Sequence, residues 1–222
     1  SDLIVALEWG GVQFFRNMEG RGLADASAEW GFATAGSGLW TSLAAADFNR
    51  DGRLDYAVGN LGLNTVYTAS REHPLRLYVG DFASSGVPQL IEAYDSDGKI
   101  HPVASRTELA SKIPAVLKRF PSNNRYAAAT LEEILGENAL AKSDLYRAGE
   151  LQSGVLLSGP SGRYEFAPLP RYAQIRKIAE GIVRAAHRPV VVQVEARLDP
   201  GVGRSDEGVR IGDRIGPVLG HV

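Results

Sequence analysis

Apolar and polar residues alternate over the first third of the chain in a way that predicts strands. Leu3, Val5 and Leu7 fall on one face of a period-2 pattern, and Gly10-Gly11 turns the chain into Val12-Gln13-Phe14-Phe15. A second strand is expected from Leu39 to Ala46, and Leu54, Tyr56 and Val58 resume the alternation after a polar loop, Asp47 to Asp55. The segments Leu75–Val79 and Gln89–Tyr94 are two further strands, and Asp95-Ser96-Asp97-Gly98 closes a hairpin. The period then changes. Ser105 with Glu108 forms a capping box, and Leu109, Ile113, Val116, Leu117 and Phe120 recur at helical spacing. Pro114 interrupts that run, so two short helices are expected, with Pro114 opening the second. Thr130 with Glu133 repeats the capping signature before Gly136. Strands return at Gly154–Leu157 and Arg163–Phe166 around a turn at Ser158–Gly162, and Pro189–Gln193 is a last strand. Beyond Tyr172 little periodicity remains.

This pattern predicts an all-β fold carrying a helical insertion at about residues 104–148. The glycine count, 25 of 222, suits an architecture of many tight turns. A formal charge of −2 without any basic run argues against a nucleic-acid partner. No cysteine is present, which removes disulfides, thiolate metal sites and a cysteine nucleophile. No apolar run approaches a membrane span. The opening residues Ser1–Leu7 have no signal-peptide features and read as a strand that begins abruptly, as in a fragment of something longer.

The chemistry concentrates in Asp47-Phe48-Asn49-Arg50-Asp51-Gly52-Arg53-Leu54-Asp55. Oxygen side chains stand at loop positions one, three, five and nine, and glycine stands at six. A hard cation such as Ca²⁺ takes six to eight oxygens, and alternate residues of a tight loop can converge on it. The candidate ligands are Asp47, Asn49, Asp51, Asp55 and the backbone carbonyl of Arg53 at position seven. The Arg50 and Arg53 side chains, at alternate positions, are expected to point outward. An EF-hand would need a bidentate glutamate at position twelve, where Val58 stands. A plain solvated turn is the competing reading.

The run Ala46 to Asn60 resembles the FG-GAP/VCBS repeat, whose members form β-propellers like those of integrin α subunits. Gly59-Asn60-Leu61-Gly62-Leu63-Asn64 and Ser105–Leu109 resemble a bacterial VCBS subgroup related to exported ASPIC/UnbV-type proteins. The likeness spans most of residues 2–175. It implies a partial propeller of four-stranded antiparallel blades, about three and a half of them, with residues 176–222 a degenerate blade or irregular tail. It also implies Ca²⁺ at Asp47, Asn49, Asp51 and Asp55. By the same repeat, Asp2 is the ninth position of an earlier loop. Asp81 opens a remnant loop in which Ala83, Ser85 and Gln89 replace three ligands, so Ser85 and Gln89 are expected to close that turn by hydrogen bonds.

Other chemistry is thin. The four histidines (His73, His101, His187 and His221) lack metal-ligand spacing, no serine lies in a nucleophile elbow, and Gly159-Pro160-Ser161-Gly162 lacks the lysine of a phosphate loop. Of the carboxylate pairs, Glu132-Glu133 are helix neighbours that face apart, and Asp206-Glu207 fall in chain expected to be irregular. Trp9, Trp30 and Trp40 suit packing between blades better than stacking on sugars. The expectation is therefore a non-catalytic, calcium-binding module of an exported protein, extracellular or periplasmic, that meets a protein or glycan ligand on its propeller face. The alternatives are the propeller portion of a larger polysaccharide-active enzyme, and a purely structural repeat.

Overall fold

The structure, a computed structural model, describes residues 1–175 and 190–194. The chain opens with β1 (Asp2–Ala6), β2 (Glu8–Gly10), β3 (Val12–Asn17) and β4 (Leu23–Asp25), then a single 3₁₀ turn at Phe32–Ala35. The strand expected from Leu39 to Ala46 is two strands, β5 (Gly38–Leu39) and β6 (Ser42–Ala46), because each half joins a different sheet. The polar loop Asp47–Leu54 leads into β7 (Asp55–Gly59).

Next come β8 (Leu75–Gly80), β9 (Gln89–Ser96) and β10 (Lys99–Pro102). The β9–β10 hairpin turns on Asp97 (φ 54°) and Gly98 (φ 77°), the left-handed pair that a two-residue turn requires. Five short helices follow: α1 (Arg106–Lys112), α2 (Ala115–Arg119), α3 (Asn123–Ala128), α4 (Leu131–Leu135) and α5 (Glu137–Ala141). Both capping boxes form, at Ser105–Glu108 and Thr130–Glu133, and Pro114 opens α2. In each box the backbone and side-chain hydrogen bonds hold the glutamate carboxyl below its ordinary range. The helical run ends at Ala141, and Asp144–Ala148 is already a strand, β11. The chain continues with β12 (Gly154–Ser158) and β13 (Tyr164–Pro168). The last described strand is β14 (Val190–Val194); the rest of the expected tail, 176–222, lies outside the described residues.

The fold is mostly β. The described strands make three four-stranded antiparallel sheets, ordered β14-β1-β3-β4, β6-β7-β12-β13 and β10-β9-β8-β11, and a small β2–β5 pair. None closes into a barrel. The second sheet is discontinuous in sequence: β7 pairs with β12, and the whole third sheet with its helices is inserted between them. Local alternation gives no sign of that return.

The first two sheets share one core. Ile4 and Phe14, paired across β1 and β3, pack with Phe32, Tyr56, Leu156 and Tyr164. The deepest face of β1 is therefore Ile4 and Ala6; Leu3 and Leu7, on the face that the alternation marked, are half-buried. Phe32 stacks on Phe14 with ring centroids 5.2 Å apart and lies 4.8 Å from the Tyr164 ring. Burying each such ring stabilises the fold by about 1.5–3 kcal/mol. A second cluster joins Tyr78, Ile91 and Ala93 of the third sheet to Leu109, Ile113, Val116, Leu131 and Ile134 of the helices. This accounts for the helical apolar stripe at Leu109, Ile113, Val116 and Phe120, whereas Leu117 is exposed. A smaller cluster around Leu39, Leu75, Ala148 and Leu151 lies at the base of the insertion.

Candidate functional site

The Asp47 loop is a set of carboxylates wrapped around backbone N–H groups. Asp47 Oδ1 accepts from Asp51 N at 3.1 Å and its Oδ2 accepts from Gly52 N at 2.9 Å. Asn49 Oδ1 also accepts from Asp51 N, at 3.1 Å, and Asp51 Oδ1 accepts from Arg53 N at 2.9 Å. Two left-handed residues, Arg50 (φ 62°) and Gly52 (φ 81°), make the turn tight enough for this. Asp47, Asn49 and Asp51 are thereby brought together on an exposed loop.

Asp55 behaves differently. It is fully buried at the start of β7; its Oδ2 accepts from Phe48 N at 3.0 Å and its Oδ1 from Ser158 N at 2.8 Å. Its carboxylate thus ties the loop to the end of β12. Asp2 does the same in the first sheet, where its Oδ1 accepts from Asn17 N at 2.8 Å. The correspondence is one of register. Asn17 stands two residues past Phe15, the partner of Leu3, and Ser158 stands two past Leu156, the partner of Tyr56.

Arg53 corrects the sequence expectation. Its side chain does not point away from the loop: Nη2 lies 2.6 Å from Asp51 Oδ2, Nε donates to Ser158 Oγ at 2.9 Å, and Nη2 also donates to the Ser158 carbonyl at 3.1 Å. Position seven shares the parity of positions one, three, five and nine, so alternation gives Arg53 no reason to turn outward as it does Arg50; the Ser158 hydroxyl and carbonyl on β12 and the Asp51 carboxylate hold it over the loop.

The Asp81 loop repeats this geometry. Gly80 pairs with Gln89 as Ala46 pairs with Asp55, so eight residues separate the strands in each case. Ser84 (φ 54°) and Gly86 (φ 78°) are left-handed like Arg50 and Gly52. Asp81 accepts from Ser85 N and Gly86 N, both at 2.8 Å, and these bonds hold its carboxyl below the ordinary range. Here the ninth residue is an amide. Gln89 Oε1 accepts from Ala83 N at 3.0 Å, while Nε2 donates to Ser85 Oγ at 3.3 Å and to the Val87 carbonyl, the position-five and position-seven oxygens. Ser85 and Gln89 close this turn by hydrogen bonds, as the sequence suggests.

Whether the Asp47 loop suits a metal turns on its donors. Asp47, Asn49, Asp51 and Asp55 with the Arg53 carbonyl are all oxygen ligands, the set that a hard divalent cation takes. Each carboxylate has about four lone-pair sites, so Asp47 and Asp55 can keep their N–H bonds and still offer an oxygen. Among the described residues no three His, Cys, Asp or Glu side chains stand grouped as a ready metal site, and the donor chemistry alone carries the fit.

The residues that the sequence reading passed over are uncharged. Asn60, 1% exposed, uses every polar group: its N–H donates to Ser153 Oγ, its Nδ2 to the Glu150 carbonyl, and its Oδ1 accepts from Leu39 N and Leu61 N. Gln174 is equally buried and both gives to and accepts from the Ser153 backbone. A lone Asn or Gln is common in turns, and only the fold reveals these as buried hubs. The tryptophans pack: Trp40 is buried edge-on to Phe166, Trp30 lies on Phe14, and Trp9 covers the cluster at the base of the insertion. His73 is exposed, and His101 bonds the Ala129 carbonyl; His187 and His221, with Asp206-Glu207, lie outside the described residues. Glu133 is committed to its capping box. No helix among the described residues is long and apolar enough to cross a membrane.

Compared with known families, the chain matches the FG-GAP-like repeat over residues 1–58. That span runs from β1 through the Asp47 loop into β7. Searches of curated proteins and of solved structures return no match.

Proposed function

We propose that this chain is a non-catalytic, calcium-binding repeat module of an exported protein, built of FG-GAP-type propeller blades of the VCBS kind. One observation carries the reading. A strand, an eight-residue loop and a second strand recur with one register, Ala46 opposite Asp55 and Gly80 opposite Gln89. The repeat-family match over residues 1–58 supports it.

In this reading Asp47, Asn49, Asp51, Asp55 and the Arg53 carbonyl hold one Ca²⁺ in the best-preserved loop. The ion would draw the Asp47, Asp51 and Asp55 carboxylates onto one centre and neutralise them, and so stiffen the loop. Loops with dissociation constants of about 10⁻⁴–10⁻³ M fill at extracellular calcium levels, which suits an extracellular or periplasmic setting. The Asp81 loop keeps the backbone of the repeat and, with a single carboxylate, takes Ca²⁺ weakly or not at all; Asp2 is the remnant of a ninth position. The loop-bearing face is the surface offered to a protein or glycan partner.

Titration calorimetry of the chain in chelator-treated buffer tests this directly. Heat of binding that saturates in the micromolar to millimolar range, and disappears in Asp51→Ala, is the expected outcome. Absence of heat up to several millimolar Ca²⁺ removes the calcium assignment.

A further inference from the structure

The Asp47 loop contains a cation of its own. Arg53 Nη2 sits 2.6 Å from Asp51 Oδ2, on the same oxygen that receives Asn49 Nδ2 at 2.7 Å. The guanidinium is held there from outside the loop, through Nε to Ser158 Oγ at 2.9 Å and Nη2 to the Ser158 carbonyl at 3.1 Å. Ser158 is 105 residues away in sequence, on β12. The sister loop solves the same problem differently: the Gln89 amide places its N–H groups against the position-five and position-seven oxygens. Each loop therefore brings a protein N–H donor to oxygens that would otherwise face a metal.

Resting on the calcium reading, we infer that Arg53 is the resident counter-cation of the Asp47 loop and sets how weakly that loop takes a divalent ion. The fork geometry matters. A guanidinium spans a carboxylate oxygen and the Ser158 pair at once, whereas an ammonium is a single point of charge. An exposed ion pair between near neighbours contributes little to stability, so the consequence lies in affinity. A unit positive charge a few ångströms from the ion position opposes a dication, and removing it is worth about tenfold in affinity even at the dielectric constant of water.

The experiment is calorimetric Ca²⁺ titration of the full chain, in low-salt chelator-treated buffer, for the parent, Arg53→Gln and Arg53→Lys. Arg53→Gln is expected to bind about tenfold tighter than the parent, and Arg53→Lys, which keeps the charge, stays within about threefold. Should Arg53→Gln fail to fold, Ser158→Ala frees the guanidinium from its hydroxyl anchor and shifts affinity the same way, by about twofold. A parent that binds Ca²⁺ alongside an Arg53→Gln, or in its place a Ser158→Ala, of equal or lower affinity overturns the role of Arg53 and leaves the calcium reading standing. No heat from any of the proteins overturns the calcium reading, and this inference with it.

Discussion

Replacing Asp55 by alanine strands two backbone donors, and the structure says how differently they suffer. The Ser158 N–H is buried and has Asp55 Oδ1 at 2.8 Å as its acceptor; a buried donor left unpaired costs about 1–3 kcal/mol. The Phe48 N–H, 3.0 Å from Oδ2, is only partly buried, so water replaces the carboxylate and the loss is the net worth of one hydrogen bond, about 0.5–1.5 kcal/mol. Together the substitution destabilises the chain by about 2–4 kcal/mol. Asp2→Ala is the internal comparison: one partly buried donor, Asn17 N at 2.8 Å, and a cost of about 1 kcal/mol. Measurements belong in chelator, so that no bound ion enters the difference. Urea unfolding with an unchanged slope of about 2 kcal/mol/M places the Asp55→Ala midpoint about 1–2 M below the parent and that of Asp2→Ala about 0.5 M below it. Amide exchange at Ser158 accelerates in the first variant alone. A midpoint shift below about 0.3 M for Asp55→Ala, or equal shifts for the two variants, refutes the view that the ninth residue clamps the neighbouring strand.

Phe32→Ala empties the centre of the core shared by the first two sheets, where the ring touches Phe14, Tyr56 and Tyr164, and lowers stability by about 3–5 kcal/mol in the same urea assay. Alkaline pH is the second lever: burial pushes the Tyr56 and Tyr164 phenols above their ordinary value of 10.0. Unfolded tyrosines release protons near pH 10 while the buried ones keep theirs, so stability is complete below that pH and falls as pH rises past it; Tyr164→Phe reduces the slope of a melting-temperature profile between pH 9 and 11, and an unchanged slope counts against this origin.

Local signals in the sequence were sound wherever the chemistry is local. The capping boxes at Ser105 and Thr130 need only residues three apart, and the Asp97-Gly98 turn needs only two. As a turn, and not as an ion site, the Asp47 loop belongs with them, since the hydrogen bonds to Asp47, Asn49 and Asp51 all close within five residues. What pairs with what is a different question. Val155-Leu156-Leu157 has the pattern of any core strand, and nothing in it says that Leu156 faces Tyr56 across the whole inserted sheet. Strand pairing is decided by which apolar faces find a shared core, and that is a property of the assembled fold. Arg53 was misjudged because position seven, which shares the parity of the candidate ligands, was grouped with Arg50, and because its anchor, Ser158, lies far along the chain.

The insertion explains why the loop and its neighbours are built as they are. Placing the third sheet and five helices between β7 and β12 means that these two strands meet only after a long excursion, at the entropic cost of closing a large loop. Both ends of their pairing are pinned. At the end where the excursion leaves and returns, Asn60 follows β7 and bonds the Ser153 hydroxyl and the Glu150 carbonyl just before β12. At the far end, Asp55 takes the Ser158 N–H while Arg53 takes its hydroxyl and carbonyl, so one residue of β12 is gripped at three polar groups by two residues of the loop. The loop proposed to bind calcium is therefore also the seam of a split sheet. Substitutions at Asp51, whose partners lie within the loop, should alter ion binding and leave the β7–β12 pairing in place, whereas substitutions at Asp55 disturb both.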